Sequence, residues 1–347
     1  MSKSLLFSPV VIGRHEFKNR VFMSPMCMYN SEPDTGLLDS RRFDHYVTRA
    51  AGGVGAIVME ATAVVPDGGI SRQDLGLWDD SQIAPLAELV NKVHSYGTKI
   101  GIQLAHAGRK AYGRDVIWSS SANGKFNEDE EIYIEPTPLT EAQIKDLVKA
   151  FGQAAYRAVQ AGFDFVEIHA AHGYLINQFI SPLTNFRTDN YGGSLEKRYN
   201  FLGEIIRAIR ETADIDIHLR LSASEVEEAG NSLDDIRQIM AWAQEDGVVF
   251  FDISSGGVTK VPPKIFPGYQ ALISAQLADQ FRVGAVGLIN EPFLAEYILR
   301  AKHAEVIYLA RPLLNDPYWC FHAAKVLHDE EGVDLPIPSY VRGVNKA

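Results

Sequence analysis

The stretch FDFVEIHAAHGYLINQFISP, Phe163 to Pro182, decides the fold and raises the question of chemistry. Phe163 to Ile168 is short, aromatic and β-branched, with little alternation, as expected of a strand buried on both faces. The run before it, IKDLVKAFGQAAYRAVQAG, has helical periodicity. It opens on the capping box Thr140-Glu141-Ala142-Gln143 and stops at Gly162. Where the strand ends come His169, His172 and Tyr174. A metal site, an acid–base site and a satisfied turn are all open at this point.

Outward from this unit the same alternation recurs. Eight apolar runs read as strands: Arg20–Pro25, Gly55–Ala61, Lys99–Leu104, Phe163–His169, Asp216–Ser222, Val249–Ser255, Arg282–Gly287 and Glu305–Ala310. Helical patterns lie between them. One follows Asp79 and stops at Gly97, one covers Ser194–Ala213, and one runs from Ser232 to Gly247. Strands alternating with helices predict an α/β fold, a closed (β/α)8 TIM barrel, as one domain over residues 1–347. An open doubly wound sheet would carry G-x-G-x-x-G after its first strand, and none is present. Two additions are expected. Phe7–Arg20 alternates around Gly13 and reads as a β-hairpin at the barrel bottom. Residues 106–140, after the third strand, are too long for an idle loop and read as a capping region over the mouth.

Composition narrows the function classes. The 347 residues carry a net charge of −11, so a phosphate backbone is repelled and no nucleic-acid partner is expected. Two cysteines, Cys27 and Cys320, exclude a disulfide framework and a cysteine-based metal cluster. No apolar stretch reaches the roughly 18 residues of a membrane span, and the N-terminus lacks a signal-peptide core, so a cytoplasmic location without a membrane partner is the expectation.

A (β/α)8 barrel places its chemistry at the C-terminal strand ends. Strand one delivers Ser24, Pro25, Met26, Cys27 and Tyr29. Strand two delivers Glu60 and Ala61. Strand three gives Gln103, then His106, Arg109 and Lys110. Strand four carries the two histidines and Tyr174. Strand five holds Arg220, expected to point inward with Gln103, and strand six ends in Ser254, Ser255, Gly256 and Gly257. Strands seven and eight end in Gly287 and in Ala310-Arg311, where such barrels bind phosphate. A glutamine offers donor and acceptor to a uracil-like edge, and an arginine beside it would stabilise charge on a reduced ring. The plain alternative pairs Arg220 with a carboxylate such as Glu60 or Glu167. As an electrophilic pair, His169 and His172 would grip one carbonyl oxygen.

Several motifs in this order resemble one family. SPMCMY, IGIQLAHAGRK, EIHAAHGYLINQFISPLTNFRTDNYGGS, SSGG, FPGYQ, AVGLI and LARPLL are similar to the old yellow enzyme family of FMN-dependent ene-reductases. Within it the chain looks most like the thermophilic-like bacterial NADPH dehydrogenase subgroup. The resemblance implies FMN as cofactor and NADPH or NADH as hydride donor. It implies a ping-pong reduction of the C=C bond of α,β-unsaturated carbonyl compounds, imides or nitro compounds. It also assigns roles. Ser24, Pro25, Met26, Cys27, Ala61, Gln103 and Arg220 lie around the flavin ring, with Lys110 nearby. Gly287, Ala310 and Arg311 hold its phosphate. His169 and His172 bind the substrate oxygen, Tyr174 donates the proton, and Tyr29 lines the substrate face. Arg342 and the tail, residues 336–347, reach a neighbouring subunit, which implies a homodimer or homotetramer. No metal is implied. The subgroup often has glycine where this chain has Ala310. Rival readings are a metal-dependent TIM-barrel hydrolase using the two histidines, a non-catalytic FMN-binding protein, and the larger flavin and iron–sulfur dehydrogenases, which need more cysteines and further domains.

Overall fold

Eight parallel strands close on themselves. The computed structural model describes residues 3–122, 134–333, 337–340 and 342. Strand one is Val21–Met23, two Ala56–Ala63, three Lys99–Ala105 and four Phe165–Ala170. Strand five is Asp216–Ser222, six Val248–Ser254, seven Val283–Ala285 and eight Val306–Leu309. Each pairs with its successor, and strand eight pairs back onto strand one. The expected (β/α)8 barrel is therefore present. Strands one, seven and eight are shorter than their apolar runs. Pro25 offers no ladder donor, and Gly287 turns to φ 116° just past strand seven.

Helices Ser40–Ala51, Ile83–His94, Glu141–Ala161, Leu195–Thr212, Leu233–Asp246 and Pro292–Arg300 fill the crossovers. Between strands six and seven the helix shrinks to Ala271–Ser274. Thr140 and Gln143 form the expected reciprocal cap, and Gly162 ends that helix at φ 87°. Apolar helix faces pack on the outside of the barrel in one large core.

A second, smaller core fills the barrel itself, and it explains the N-terminal hairpin. Val10–Ile12 pairs antiparallel with His15–Phe17. Val10, Ile12 and Phe17 join Phe22, Phe165, Phe250 and Tyr308 in the interior cluster. The Phe17 ring lies 4.8 Å from Phe22 and 6.2 Å from Phe165. The hairpin turn is tied to the first residue of strand five, since Arg14 N–H donates to Asp216 at 2.8 Å. The hairpin thus plugs the N-terminal end and leaves the opposite mouth for chemistry.

Part of the capping region is in place. Trp118–Ser119 pairs with Thr137–Pro138, which pins its two ends together. Ile117 packs with Ile70, Ala107, Ala111, Cys27 and Tyr174. Residues 123–133 of that region, and most of the 336–347 tail, lie outside the described residues. No helix among the described residues is long and apolar enough to cross a membrane.

Candidate active site at the barrel mouth

Strand four ends in a sharp turn that gathers three side chains. His172 sits at φ 58° and Gly173 at φ 74°. The turn presses against strand six's loop so closely that a Cβ on Gly173 would stand 2.2 Å from Gly257 O. Backbone strain of this kind needs enforcing partners. The Ser222 hydroxyl accepts from His172 N–H at 2.9 Å and donates to Gly256 O at 2.9 Å. Lys110 Nζ donates to His172 O at 2.8 Å and Gly257 O at 3.2 Å. The result is a T-shaped trio: His169 lies 5.4 Å from His172 and 4.8 Å from Tyr174 between ring centres.

The environment sets their charge. Burial pulls both imidazoles well below the ordinary histidine value, helped by Arg220 and Lys110 and, for His169, by His172. Both are neutral at pH 7. His169 Nδ1 accepts from Ala171 N–H at 3.3 Å, so its proton resides on Nε2. Burial, with Cys27 and Asp74 nearby, raises the Tyr174 phenol, which keeps its proton at neutral pH. Burial also lowers Lys110 to about 8, with help from Arg109.

Strand one passes beside this trio. Ser24 is buried and donates its N–H to Leu309 O at 2.9 Å, while Pro25, Met26 and Cys27 are half-buried. Burial pushes the Cys27 thiol up to about 12, with Asp74 and Glu60 adding to it, so Cys27 is a neutral thiol. Tyr29, at φ 53° and 37% exposed, reaches back to bond it. Ala61 lines the same small cavity as Ile70, Asp74, His169 and Tyr174.

The plain alternative for Arg220, a buried pair with a carboxylate, holds in kind but with neither Glu60 nor Glu167 as partner. Glu60 belongs to Arg42, in a two-pronged pair at 2.8 and 3.2 Å, and accepts from Met28 N–H at 3.0 Å. It therefore anchors the strand-one loop. Glu167 takes a bond from Gln103 Nε2 at 2.7 Å. Arg220 instead faces Asp252 on strand six at 3.0 Å. Asp252 was not among the expected site residues, because its partner lies on another strand. Glu167 Oε2, Arg220 Nε and both Asp252 carboxylate oxygens are buried without an aligned hydrogen bond. Burial and Asp252 raise Glu167, while burial raises Asp252 against the opposing pull of Arg220.

Across the mouth, a Cβ on Gly287 would come within 2.9 Å of Gln270 Nε2 and 3.0 Å of the Tyr269 ring. Gly287 is thus packed under Gln270 and Tyr269, where only a residue without a side chain fits. Burial raises the Tyr269 phenol, and the exposed Arg311 is close enough to oppose that rise. Ala310, where the subgroup often has glycine, has φ −106° and ψ −91°. Arg342 is exposed on the tail. No cluster of three or more His, Cys, Asp or Glu side chains among the described residues is arranged to hold a metal ion.

Comparison with known proteins gives the family. Residues 5–330 match the model of the NADH:flavin oxidoreductase / NADH oxidase family. The NADPH dehydrogenase of Bacillus velezensis is 46% identical, covering 94% of this chain and 96% of the relative. That of Bacillus subtilis (strain 168) is 44% identical over 97% of this chain and 98% of the relative. Among solved structures, the old yellow enzyme homologue from Zymomonas mobilis has a TM-score of 0.77 at 27% identity, covering 90% of each chain. Morphinone reductase in complex with tetrahydroNAD has a TM-score of 0.78 at 26% identity, covering 96% of this chain and 93% of that one. Histamine dehydrogenase from Rhizobium sp. 4-9 has a TM-score of 0.80 at 28% identity; this chain spans 48% of its length. The chain spans 52% of 2-naphthoyl-CoA reductase, a likeness at 24% identity that shows the fold alone. By family match, by relatives and by architecture, this chain belongs to the NADH:flavin oxidoreductase / NADH oxidase family and is an old yellow enzyme-type oxidoreductase that works with FMN and NADPH.

Proposed function

We propose that the protein reduces the activated C=C bond of α,β-unsaturated carbonyl compounds, imides or nitro compounds in two half-reactions that share one site. The observation that carries this reading is the trio of neutral His169, neutral His172 and protonated Tyr174 beside the buried Arg220.

The mouth residues fit FMN. The Arg220 guanidinium and the Gln103 amide suit the polar edge of a flavin pyrimidine, with Asp252 and Glu167 behind them to balance and orient them. Gln103, Ala61 and Ser24 to Cys27 line the ring. The strand-seven and strand-eight ends, with the exposed Arg311 guanidinium beside Ala310, suit its phosphate. FMN, when bound, supplies the hydride, taken from NADPH in one half-reaction and given to the alkene β-carbon in the other.

The protein residues do the rest. His169 and His172 hold the substrate's carbonyl or nitro oxygen and stabilise the charge that develops there. Neutral imidazoles suit this task as hydrogen-bond donors that give up no proton. Tyr174 donates its phenolic proton to the α-carbon. Tyr29 covers the outer side of the substrate. Arg220 steadies negative charge on the polar ring edge. Arg342 and the tail reach the mouth of a second copy, making the working form a homodimer or homotetramer. The chain acts as one domain in the cytoplasm.

Purified protein is expected to be yellow, to lose that colour anaerobically with NADPH, and to regain it with a small cyclic enone. A chelator should leave turnover unchanged. Colourless protein, or inactivation by the chelator with flavin retained, would favour the metal hydrolase instead.

A further inference from the structure

His172 enters the site with one ring nitrogen already engaged. Its Nε2 lies 2.6 Å from Ser254 Oγ, at the end of strand six. Only Nδ1 remains for a substrate oxygen. A neutral imidazole carries a single N–H, and the partner of one nitrogen decides what the other can do. If Nε2 bears the proton, it donates to Ser254 and Nδ1 turns a lone pair toward the substrate oxygen. That arrangement repels a carbonyl. For Nδ1 to donate, the Ser254 hydroxyl must give its own proton to Nε2.

The Ser254 hydroxyl has a second neighbour. In the structure Ser254 Oγ donates to Gln270 Oε1 at 3.0 Å, and Ser255 Oγ donates to the same oxygen at 2.9 Å. Gln270 is 4% exposed, and its amide lies between the two serines and Gly287. With Oε1 toward the serines, the amide draws the Ser254 proton away from His172. In that orientation the Gln270 NH2 protons have no acceptor among the described residues. Turned over, the NH2 donates to both serine oxygens. Ser255 loses nothing by this, because its hydroxyl also bonds Tyr269. The two ends of an amide are nearly isosteric, so the hydrogen-bond network chooses between them. The turned network is the one that leaves the Ser254 proton for His172 Nε2.

We propose that Ser254 and Gln270 are positioning residues that fix His172 as its Nδ1–H tautomer. Gln270 donates to Ser254, Ser254 donates to His172 Nε2, and Nδ1–H is left to grip the substrate oxygen. The chain of donors runs one way, from strand six's loop into the clamp. This inference rests on the reading of His172 as an oxygen ligand.

The test is 15N NMR of the FMN-loaded protein with labelled histidine, using long-range ring correlations and His172→Ala for assignment. The wild type should show His172 protonated at Nδ1. Ser254→Ala and, independently, Gln270→Glu, which has no NH2 to donate, should both move the proton to Nε2. Ser254→Thr, which keeps the hydroxyl, should keep the wild-type pattern. In turnover, Ser254→Ala should raise the enone KM about tenfold and leave flavin reduction by NADPH unchanged. An Nε2–H tautomer in the wild type, or an unchanged tautomer in both Ser254→Ala and Gln270→Glu, overturns the proposal. The underlying reading fails separately, if His172→Ala reduces enone with the wild-type KM.

Discussion

At the scale of single residues, the site is governed by which buried charge faces which. Arg220 is the positive group between Asp252, at 3.0 Å, and the raised Glu167. Removing one partner of a buried pair leaves the other uncompensated, at a cost of about 3–5 kcal/mol. Arg220→Met should therefore lower the unfolding free energy by about that amount and release FMN on dialysis. Urea titration and the flavin absorbance of the dialysed protein check both. His169, His172 and Tyr174 were legible in the sequence because their spacing sits directly at a strand end. Asp252 was not. In VFFDISS it looks like any polar residue within a strand, and its meaning comes from Arg220, brought beside it only by the ladder.

At the scale of elements, the decisive contact joins two turns. The loops after strands four and six meet at Gly173 and Gly257, with no room for a side chain between them. Gly173→Ala must both relieve a left-handed backbone and push the loops apart. Its expected result is an intact barrel that retains FMN, with enone reduction at least tenfold slower because His172 and Tyr174 are displaced. Far-ultraviolet circular dichroism, flavin content and steady-state rates distinguish that outcome from simple misfolding. The eight strands, the Thr140 cap and the hairpin were all readable from periodicity and capping chemistry. The short pairing of Trp118–Ser119 with Thr137–Pro138 was not, since two-residue strands carry no periodic signal. Nor was the identity of Gln270 as a neighbour of two serines, although it lies in the quoted FPGYQ motif.

At the scale of the whole molecule, burying polar machinery in a barrel shapes its response to pH. His45, His106 and His218 are buried and held down to about 4, 4 and 3 by burial, and His169 and His172 are held down likewise. Their unfolded counterparts bind protons below about pH 6.5, so stability is lost as pH falls through that value. Each such histidine costs about 1.4 kcal/mol over the whole fall from pH 7.5 to 5.5. Glu167 and Asp252, raised by burial, act in the opposite sense, because they hold protons in the folded state that the unfolded chain lacks. Five histidines outweigh these two between pH 6.5 and 5.5. The urea midpoint of the FMN-loaded protein should therefore fall from pH 7.5 to 5.5. An equal or higher midpoint at pH 5.5 would show that protonation inside the barrel is tolerated.

All scales meet in one claim, that a single mouth carries out two half-reactions and that Tyr174 serves only the second. The direct measurement is anaerobic stopped-flow of wild type and Tyr174→Phe. Flavin reduction by NADPH is followed first, then reoxidation by a cyclic enone. The account predicts reduction rates that agree within about twofold and a reoxidation rate lower by about 100-fold in the variant, the size of a lost general acid. Equal slowing of both steps, or an unchanged reoxidation rate, would contradict it.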